Sequence, residues 1–294
     1  MASGQLTGTM MVKQKFIEGR IAELTDGYLV TDKIFTIDNT DAVSIVYEDP
    51  GSRTPEASDQ VEERTELGTY PRVGMSTQEK SAIIKDYGLE VLISYNAITK
   101  NQISSISRAY TKLANSMMLF VDGKGLQTLT DNYNTSSTVI NTQGASSAWS
   151  DTVNSKPFDD IILAASKVNG TVGEAYRADI AVVNPVDMTR ALLNEKFRKE
   201  LDTDLSNSEK IVRSGILKGK VGGILFVEAP NMRQGFAWVG QRGMVGTRHQ
   251  STNGVQADSY KRDNSVKSAT VVSSFREFVD VLNEPKAGTL LSGL

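Results

Sequence analysis

The sequence predicts an α+β fold, with strands and helices grouped in separate parts of the chain. Apolar and polar residues alternate in two segments, 41–48 and 75–95, that flank a long polar stretch. One helical pattern then runs from Asn96 to Gly125 without a proline. An apolar strand pattern over 178–183 is followed by Asn184-Pro185 and a second helical pattern. Because regular strand–helix alternation is confined to one part of the chain, the α+β class is favoured over an α/β class.

The composition is that of an ordinary globular protein. The chain has 294 residues, of which 39% are hydrophobic and 23% charged, and its mean hydropathy is -0.26. No apolar run approaches the ~20 residues of a membrane helix, and the N-terminus lacks a signal-peptide pattern. The absence of cysteine excludes disulfides and zinc–thiolate sites and suits a reducing cytoplasm. The net charge of -3 without a long basic run argues against tight wrapping of nucleic acid.

No group of residues predicts a catalytic, cofactor-binding or metal site. The single histidine, His249, lies in a polar segment and is expected in a solvated loop, with no G-x-S-x-G nucleophile pattern to partner it. The glycine-rich stretches 121–127 and 214–223 match neither phosphate-binding pattern and are predicted to be turns. Adjacent acids are assigned to surface and helix-terminal positions: Glu62 and Glu63, Asp159 and Asp160, Asp202 and Asp204. An enzyme that uses an unrecognised carboxylate pair remains an alternative.

Residues 1–40 form an arm that has no core of its own. A short helix is expected over 15–24, with Phe16, Ile17, Ile21 and Leu24 on one side, and residues 28–37 are expected to be extended. Such an arm must lie on the rest of the chain or on a neighbouring molecule.

Residues 41–95 are expected to form a long hairpin with a polar insertion at 45–80. Strands of about 15 residues would extend about 50 Å, and a ribbon of two strands is marginally stable by itself. The insertion also has the composition of a disordered surface loop, which is the alternative interpretation. Its mixed charges favour docking on a complementary polar surface. The residues expected at such an interface are Arg53, Glu56, Asp59, Glu62, Glu63, Arg64, Glu66 and Arg72.

The rest of the chain contains a long helix followed by a mixed unit. Gly123 and Gly125 are expected to end the long helix, and residues 128–155 to form a polar loop. Further expected elements are a helix opened by Pro157, a strand at 178–183, a helix from Val186 with Asp187 and Thr189 satisfying its free backbone N–H groups, and strands at 223–229 and 235–240. The C-terminal segment from 268 is expected to form a strand that leads into another strand or a short helix.

This order of elements resembles the major capsid protein of tailed bacteriophages, the Hong Kong 97-type fold, which encapsulin shells share. The most specific parts are the strand–Asn-Pro–helix segment at 179–193 and a glycine-bracketed hairpin at 219–240. The resemblance implies five parts: an N-terminal arm (1–40), the extended-loop hairpin with peripheral-domain strands (41–95), the spine helix and following loop of the peripheral domain (96–155), the axial domain (156–240), and return strands of both domains with the C-terminus (241–294).

The resemblance also implies a structural role in the virion. Copies of the chain would assemble in the host cytoplasm as pentamers and hexamers of an icosahedral shell around double-stranded phage DNA, which it would not bind by sequence. The extended loop would dock on neighbouring subunits, a portal would occupy one vertex, and neither a membrane, a cofactor nor catalysis would be involved. An encapsulin-type nanocompartment is the alternative, whereas a mainly β tail-tube subunit is disfavoured by the long helix.

Two departures from the family pattern modify these expectations. Some relatives crosslink a loop lysine to a distant asparagine, but no lysine lies between Val46 and Glu79, so a non-crosslinked shell is expected, with room for a decoration protein. Some relatives also carry a scaffold segment of about a hundred residues, whereas the arm here starts almost at Met1. A separate scaffolding protein is the resulting hypothesis.

Overall fold

A computed structural model describes residues 7–25, 29–48, 78–135, 141–151, 153–171, 175–197, 217–251, 254–264 and 267–294. The helices are α1 (Gly8–Met11), α2 (Gln14–Thr25), α3 (Thr31–Ile34), α4 (Tyr95–Thr99), α5 (Ile103–Thr135), α6 (Pro157–Asn169) and α7 (Pro185–Leu193), with a 3-10 turn at Pro285–Ala287. The strands are β1 (Thr36–Asn39), β2 (Ser44–Glu48), β3 (Glu79–Ile83), β4 (Lys85–Ser94), β5 (Asn141–Gly144), β6 (Ile180–Val183), β7 (Leu217–Val221), β8 (Ile224–Glu228), β9 (Phe236–Gly240), β10 (Gly246–Gln250), β11 (Gln256–Asn264), β12 (Lys267–Leu282) and β13 (Gly288–Ser292).

A five-stranded sheet is organised around the long strand β12. β4 pairs with one edge of β12, β11 and β10 pair with the other edge, and β1 extends the sheet from β10. Helices α2 and α5 cover one face, where Ile17 and Ile21 of the arm pack with Tyr110, Ala257 and Val272. The arm therefore lies on its own chain, and the predicted α2 helix with its buried apolar side is confirmed.

A six-stranded sheet has the order β5-β13-β9-β6-β8-β7, and its central strands are largely buried on both faces. All four residues of β6 are buried. Ala181 and Val183 join the core formed with α6, whereas Ile180 and Val182 join a core that contains Leu129 of α5. A strand that is covered on both faces is apolar throughout, which explains why a continuous apolar run predicted β6.

The extended interpretation of residues 28–37 is wrong in its first half, where α3 forms before β1. The cause is Asp122 of α5, whose carboxylate accepts hydrogen bonds from the backbone N–H groups of Val30 and Thr31 and from the Thr31 hydroxyl at 3.2, 3.0 and 2.7 Å. This capping group lies about ninety residues away in the chain, and a local pattern cannot reveal it.

The long helix differs from its predicted bounds at both ends. It is interrupted after α4, where Asn101 has a φ of 49°, and α5 then continues through Gly123 and Gly125 to Thr135. Glycine costs a helix about 1 kcal/mol, but the burial of Leu126 and Leu129 beyond the two glycines outweighs that cost. Part of the predicted loop 128–155 is consequently helical, and β5 forms within it by pairing with β13.

The predicted hairpin at 219–240 is also wrong, because β6 lies between β8 and β9 and pairs with both. The local hairpin is instead β7–β8, turned by Gly222 and Gly223 at φ values of 58° and 83°. The C-terminal segment forms both expected alternatives, the 3-10 turn and then β13.

Helix α7 begins at Pro185, one residue before the expected Val186, and its N-terminal cap is Asn184, whose side chain accepts a hydrogen bond from the Val186 N–H at 2.9 Å. Thr189 and Asp187 were expected to satisfy free N–H groups of the first turn. The Thr189 hydroxyl instead donates to the Pro185 carbonyl oxygen at 2.8 Å, and Asp187 bonds elsewhere. It is buried and accepts hydrogen bonds from Gly235 N at 2.7 Å and Arg190 Nη1 at 2.9 Å, so it ties the helix to the start of β9.

Candidate subunit interface

The ribbon formed by β2 and β3 stands outside both sheets and is the root of the polar insertion. Its strands pair from Ser44–Ile83 to Glu48–Glu79. Val46 and Ile83 lie diagonally on one face and are 66% and 61% exposed, and Val43 beside them is 78% exposed. An apolar face of this kind on a marginal two-stranded element indicates a surface that another molecule covers.

The eight interface residues expected from the sequence all lie within 49–77, outside the described residues. They are Arg53, Glu56, Asp59, Glu62, Glu63, Arg64, Glu66 and Arg72. In the sequence, their segment connects β2 to β3.

Strand β4 continues from the ribbon and forms one edge of the five-stranded sheet. Among the described residues its backbone pairs with β12 alone, over ten positions. Leu89 and Leu92 are substantially exposed along it. An exposed apolar edge strand readily pairs with another chain. The ribbon and this edge together form the candidate subunit interface.

The face of the five-stranded sheet that points away from the helices is acidic. Asp86 of β4 lies opposite Glu277 of β12, and Glu90 and Asp258 flank Ser273 in the same register. His249 lies on this face in β10, with its Nδ1 2.8 Å from an oxygen of Asp38. The solvated-loop assignment of His249 is therefore wrong, because β10 is held between β1 and β12.

A buried charge cluster under the other face of the sheet fixes the arm. Arg248 donates from Nε and Nη2 to the two carboxylate oxygens of Asp280 at 2.6 and 2.8 Å, and from Nη1 to Asp32 at 2.5 Å. Arg276 donates to the other oxygen of Asp32 at 3.1 Å and to the Gln250 amide oxygen. Both arginine side chains are fully buried. Asp32 of α3 thus bridges two strands to the arm.

Burial and neighbouring charges oppose each other at Arg248 and at Asp122, which lies next to the cluster. The pKa of Asp122 is raised by desolvation, which outweighs its hydrogen bonds from Thr31 and Val30 and the charge of Arg248. Burial alone would lower the pKa of Arg248, but the hydrogen bonds and charges of Asp280 and Asp32 raise it overall. Arg248 therefore stays charged. Sequence reasoning missed the cluster because its members are spread from Asp32 to Asp280.

The other candidate site residues have structural positions. Asp159 and Asp160 lie in the first turn of α6, which confirms the helix-terminal assignment. Asp159 pairs with Lys196 at the surface, whereas Asp160 is buried and accepts hydrogen bonds from Ser146 N and Trp149 Nε1 at 2.9 and 3.1 Å. Residues 121–127 are helical rather than a turn. Of the other acid pairs, Glu62 and Glu63 as well as Asp202 and Asp204 lie outside the described residues.

Within the described ranges, no group of three or more histidine and carboxylate side chains could hold a metal ion. In the same ranges, every helix is too short or too polar to cross a membrane.

Solved structures with this arrangement cover nearly the whole chain. A phage-related protein from Bordetella bronchiseptica RB50 has 14% identity and a TM-score of 0.59, with 96% of this chain and 97% of that one covered. The virus-like particle from Pyrococcus furiosus has 12% identity and a TM-score of 0.58 over 94% and 98%. The capsid of Myoviridae phage XM1 has 14% identity and a TM-score of 0.57 over 91% and 92%. The architecture is the Hong Kong 97-type capsid fold.

The family follows from the sequence as well. A family model described as phage capsid protein matches residues 77–284, and the chain belongs to that family. It is a structural protein of the capsid, and its place is the virion. A search of curated proteins finds no match.

Proposed function

We propose that the chain assembles as pentamers and hexamers of an icosahedral shell that encloses double-stranded phage DNA, and that the β2–β3 ribbon carries residues 49–77 onto a neighbouring subunit. The observation that carries this proposal is the ribbon itself, which belongs to neither sheet and leaves Val43, Val46 and Ile83 exposed. A lone subunit gains nothing from such a feature. In a shell, the same exposed ribbon can form a contact with a neighbour at every subunit.

The eight charged residues of the segment act as partners for the neighbour in this proposal. An exposed ion pair contributes only about 0–1 kcal/mol. Each subunit both donates and receives a segment, so these small contributions recur at every contact of the shell. The exposed edge of β4 adds backbone hydrogen bonds where a neighbour lies alongside it.

The division into domains belongs to the same proposal. The five-stranded sheet with α2 and α5 is consistent with a peripheral domain built from the arm (1–40), the hairpin region (41–95) and the spine helix (96–155). The six-stranded sheet and α6 support an axial role for residues 156–240, with return strands of both domains in 241–294.

The remaining partners are proposed from the same role. They are a separate scaffolding protein, a portal at one vertex, a decoration protein on the outside, and DNA held without sequence-specific contacts. Assembly in the host cytoplasm and the absence of a catalytic function complete the proposal. An encapsulin-type shell with protein cargo is distinguished by the contents of purified particles, because the proposal requires nucleic acid.

The test replaces the exposed apolar face of the ribbon. Val46→Asp combined with Ile83→Asp is expected to leave the subunit folded, because both side chains are exposed, and to abolish closed particles and capsomers on a sizing column and by negative stain. Val153→Asp, at an 86% exposed valine outside the ribbon, is the matched control and is expected to assemble normally. Normal shells from the double variant would contradict the proposal.

A further inference from the structure

Among the side chains that the structure describes, the two faces of the five-stranded sheet unit carry opposite charge. The uncovered sheet face carries the carboxylates of Asp86, Glu90, Asp258 and Glu277. The helical face on the other side, formed by α2 and the first half of α5 with their flanking residues, is mainly cationic. Its exposed cations are Lys13, Lys15, Lys100, Arg108 and Lys112, and its acids are Glu18 and Glu23. Glu23 already pairs with Arg20 at 2.7 Å.

A groove of about 460 Å³ opens on the cationic face between α2 and the start of α5. Met11, Phe16 and Ile103 supply apolar walls, and Ser107 lies on the side of α5. Lys15, Arg20 and Glu23 line the side of α2, where the pairing of Glu23 with Arg20 leaves Lys15 as the cation nearest an incoming carboxylate. The space beside Gly19 in this groove is open, since a Cβ atom there would meet no heavy atom within 4 Å. The groove therefore suits an apolar side chain with carboxylates beside it.

Residues 49–77 have that chemistry. They contain six carboxylates and three arginines, and their acids adjoin apolar residues in Val61-Glu62-Glu63 and Glu66-Leu67. On the acidic sheet face these carboxylates would meet like charges, which is unfavourable. On the helical face they would meet lysine and arginine.

The donor and the receptor lie at different places on one surface of the subunit. The root of the ribbon lies beside the second half of α5, where Ile83 and Lys124 line a common groove. Ser107 and Lys124 are about 25 Å apart along the helix. A donor and a receptor on different parts of one surface form head-to-tail contacts, which close into rings when the rotation permits.

We propose that the groove between α2 and α5 receives residues 61–67 of a second copy of this chain, with Phe16 and Ile103 contacting Val61 or Leu67 and the surrounding cations binding the loop glutamates. This inference rests on the proposed function, in which the segment docks on a neighbour, and it identifies the receptor.

The cysteine-free chain permits a direct test by disulfide formation. Glu63→Cys and Glu66→Cys are each combined with Ser107→Cys, and assembled particles are oxidised and run on a non-reducing denaturing gel. Cysteines form a disulfide only when their Cα atoms are about 4.4–6.8 Å apart. Two loop positions are therefore used, because the exact alignment of the loop in the groove is not known in advance. The expected result is a ladder of covalent multimers. The matched control pairs the same loop cysteines with Ser273→Cys on the acidic face, and each single-cysteine variant gives the background.

The inference is overturned if ladders form with Ser273→Cys as readily as with Ser107→Cys, if neither loop position yields multimers with Ser107→Cys, or if the product is an intramolecular bridge within one chain. Negative-stain images of the same samples distinguish a failure of the receptor assignment from a failure of the proposed function. Particles without the Ser107 ladder overturn the receptor assignment alone, whereas a wild-type chain that forms neither particles nor capsomers overturns the proposed function.

Discussion

The two sheets of this subunit are stabilised in different ways. The six-stranded sheet is enclosed by apolar cores on both faces, with Ile180, Val182 and Trp238 fully buried. The five-stranded sheet has one face under helices, an acidic face without cover, an exposed edge strand and a ribbon that projects from it. The ribbon, the exposed edge strand and the acidic face thus all adjoin the five-stranded sheet, which is where the shell proposal places the neighbours.

The interiors differ as well. The core around β6 is apolar, whereas the underside of the five-stranded sheet contains Arg248, Arg276, Asp32 and Asp280. A buried ion cluster adds little net stability compared with an apolar core, but removing one member leaves a charge without a partner. The ion pairs of Asp32 with Arg248 and Arg276 consequently fix the position of the arm on the sheet.

The largest expected effect is that of Arg248→Met. The substitution leaves the carboxylates of Asp280 and Asp32 without their main partner, and a loss of about 3–5 kcal/mol in the free energy of unfolding is expected. Ile180→Val in the apolar sheet is the comparison and is expected to cost about 0.5–1.5 kcal/mol. Denaturant unfolding of the subunit measures both. Equal losses would remove the distinction between the two interiors.

A smaller effect is expected at the helix that joins the two sheets. A Cβ atom at Gly125 would lie 2.6 Å from Thr31 Cγ2 and 2.8 Å from Arg248 Nη2, whereas one at Gly123 meets nothing within 4 Å. Gly125→Ala is therefore expected to lower the free energy of unfolding by about 1–3 kcal/mol through overpacking. Gly123→Ala is expected to raise it by up to about 1 kcal/mol through helix propensity. Stabilisation by both substitutions would show that the arm does not need this close approach.

The smallest effect is a pH dependence that belongs to the five-stranded unit. Because burial raises the pKa of Asp122, the folded state holds this proton more tightly than the unfolded chain. The contribution of Asp122 to the free energy of unfolding is thus largest below its ordinary pKa and is lost as the pH rises through the raised value.

Asp122→Asn removes this titration. The free energy of unfolding of the wild type minus that of the variant is expected to fall as the pH rises above about 4, the ordinary pKa of aspartate. A difference that increases with pH above that value would contradict the assignment. Ile180→Val serves as a control that should show no such trend.

The sequence was informative where the structure depends on local signals. Four local signals predicted elements that form: the apolar run of β6, Asn184-Pro185 at the start of α7, Pro157 as the first residue of α6, and the apolar side of α2. The alternation that predicted β2 and β3 also located the root of the ribbon.

Distant contacts account for the failures. Helix α3 depends on Asp122, and the passage of α5 through Gly125 depends on Thr31 and Arg248 in other elements. β8 and β9 are neighbours in sequence, yet β6 separates them in the sheet. For the candidate interface, the sequence identified the polar segment, but the exposed faces of the ribbon and β4 became visible only once the pairing of their strands was known.

The central claim is that neighbouring subunits cover the open surfaces around the five-stranded sheet. Amide hydrogen exchange tests it most directly, by comparing wild-type particles with the unassembled Val46→Asp, Ile83→Asp variant. The account predicts strong protection on assembly at residues 44–48 and 79–94 and little change at 180–183 and 236–240. Equal exchange of the ribbon and β4 in the two samples would contradict it.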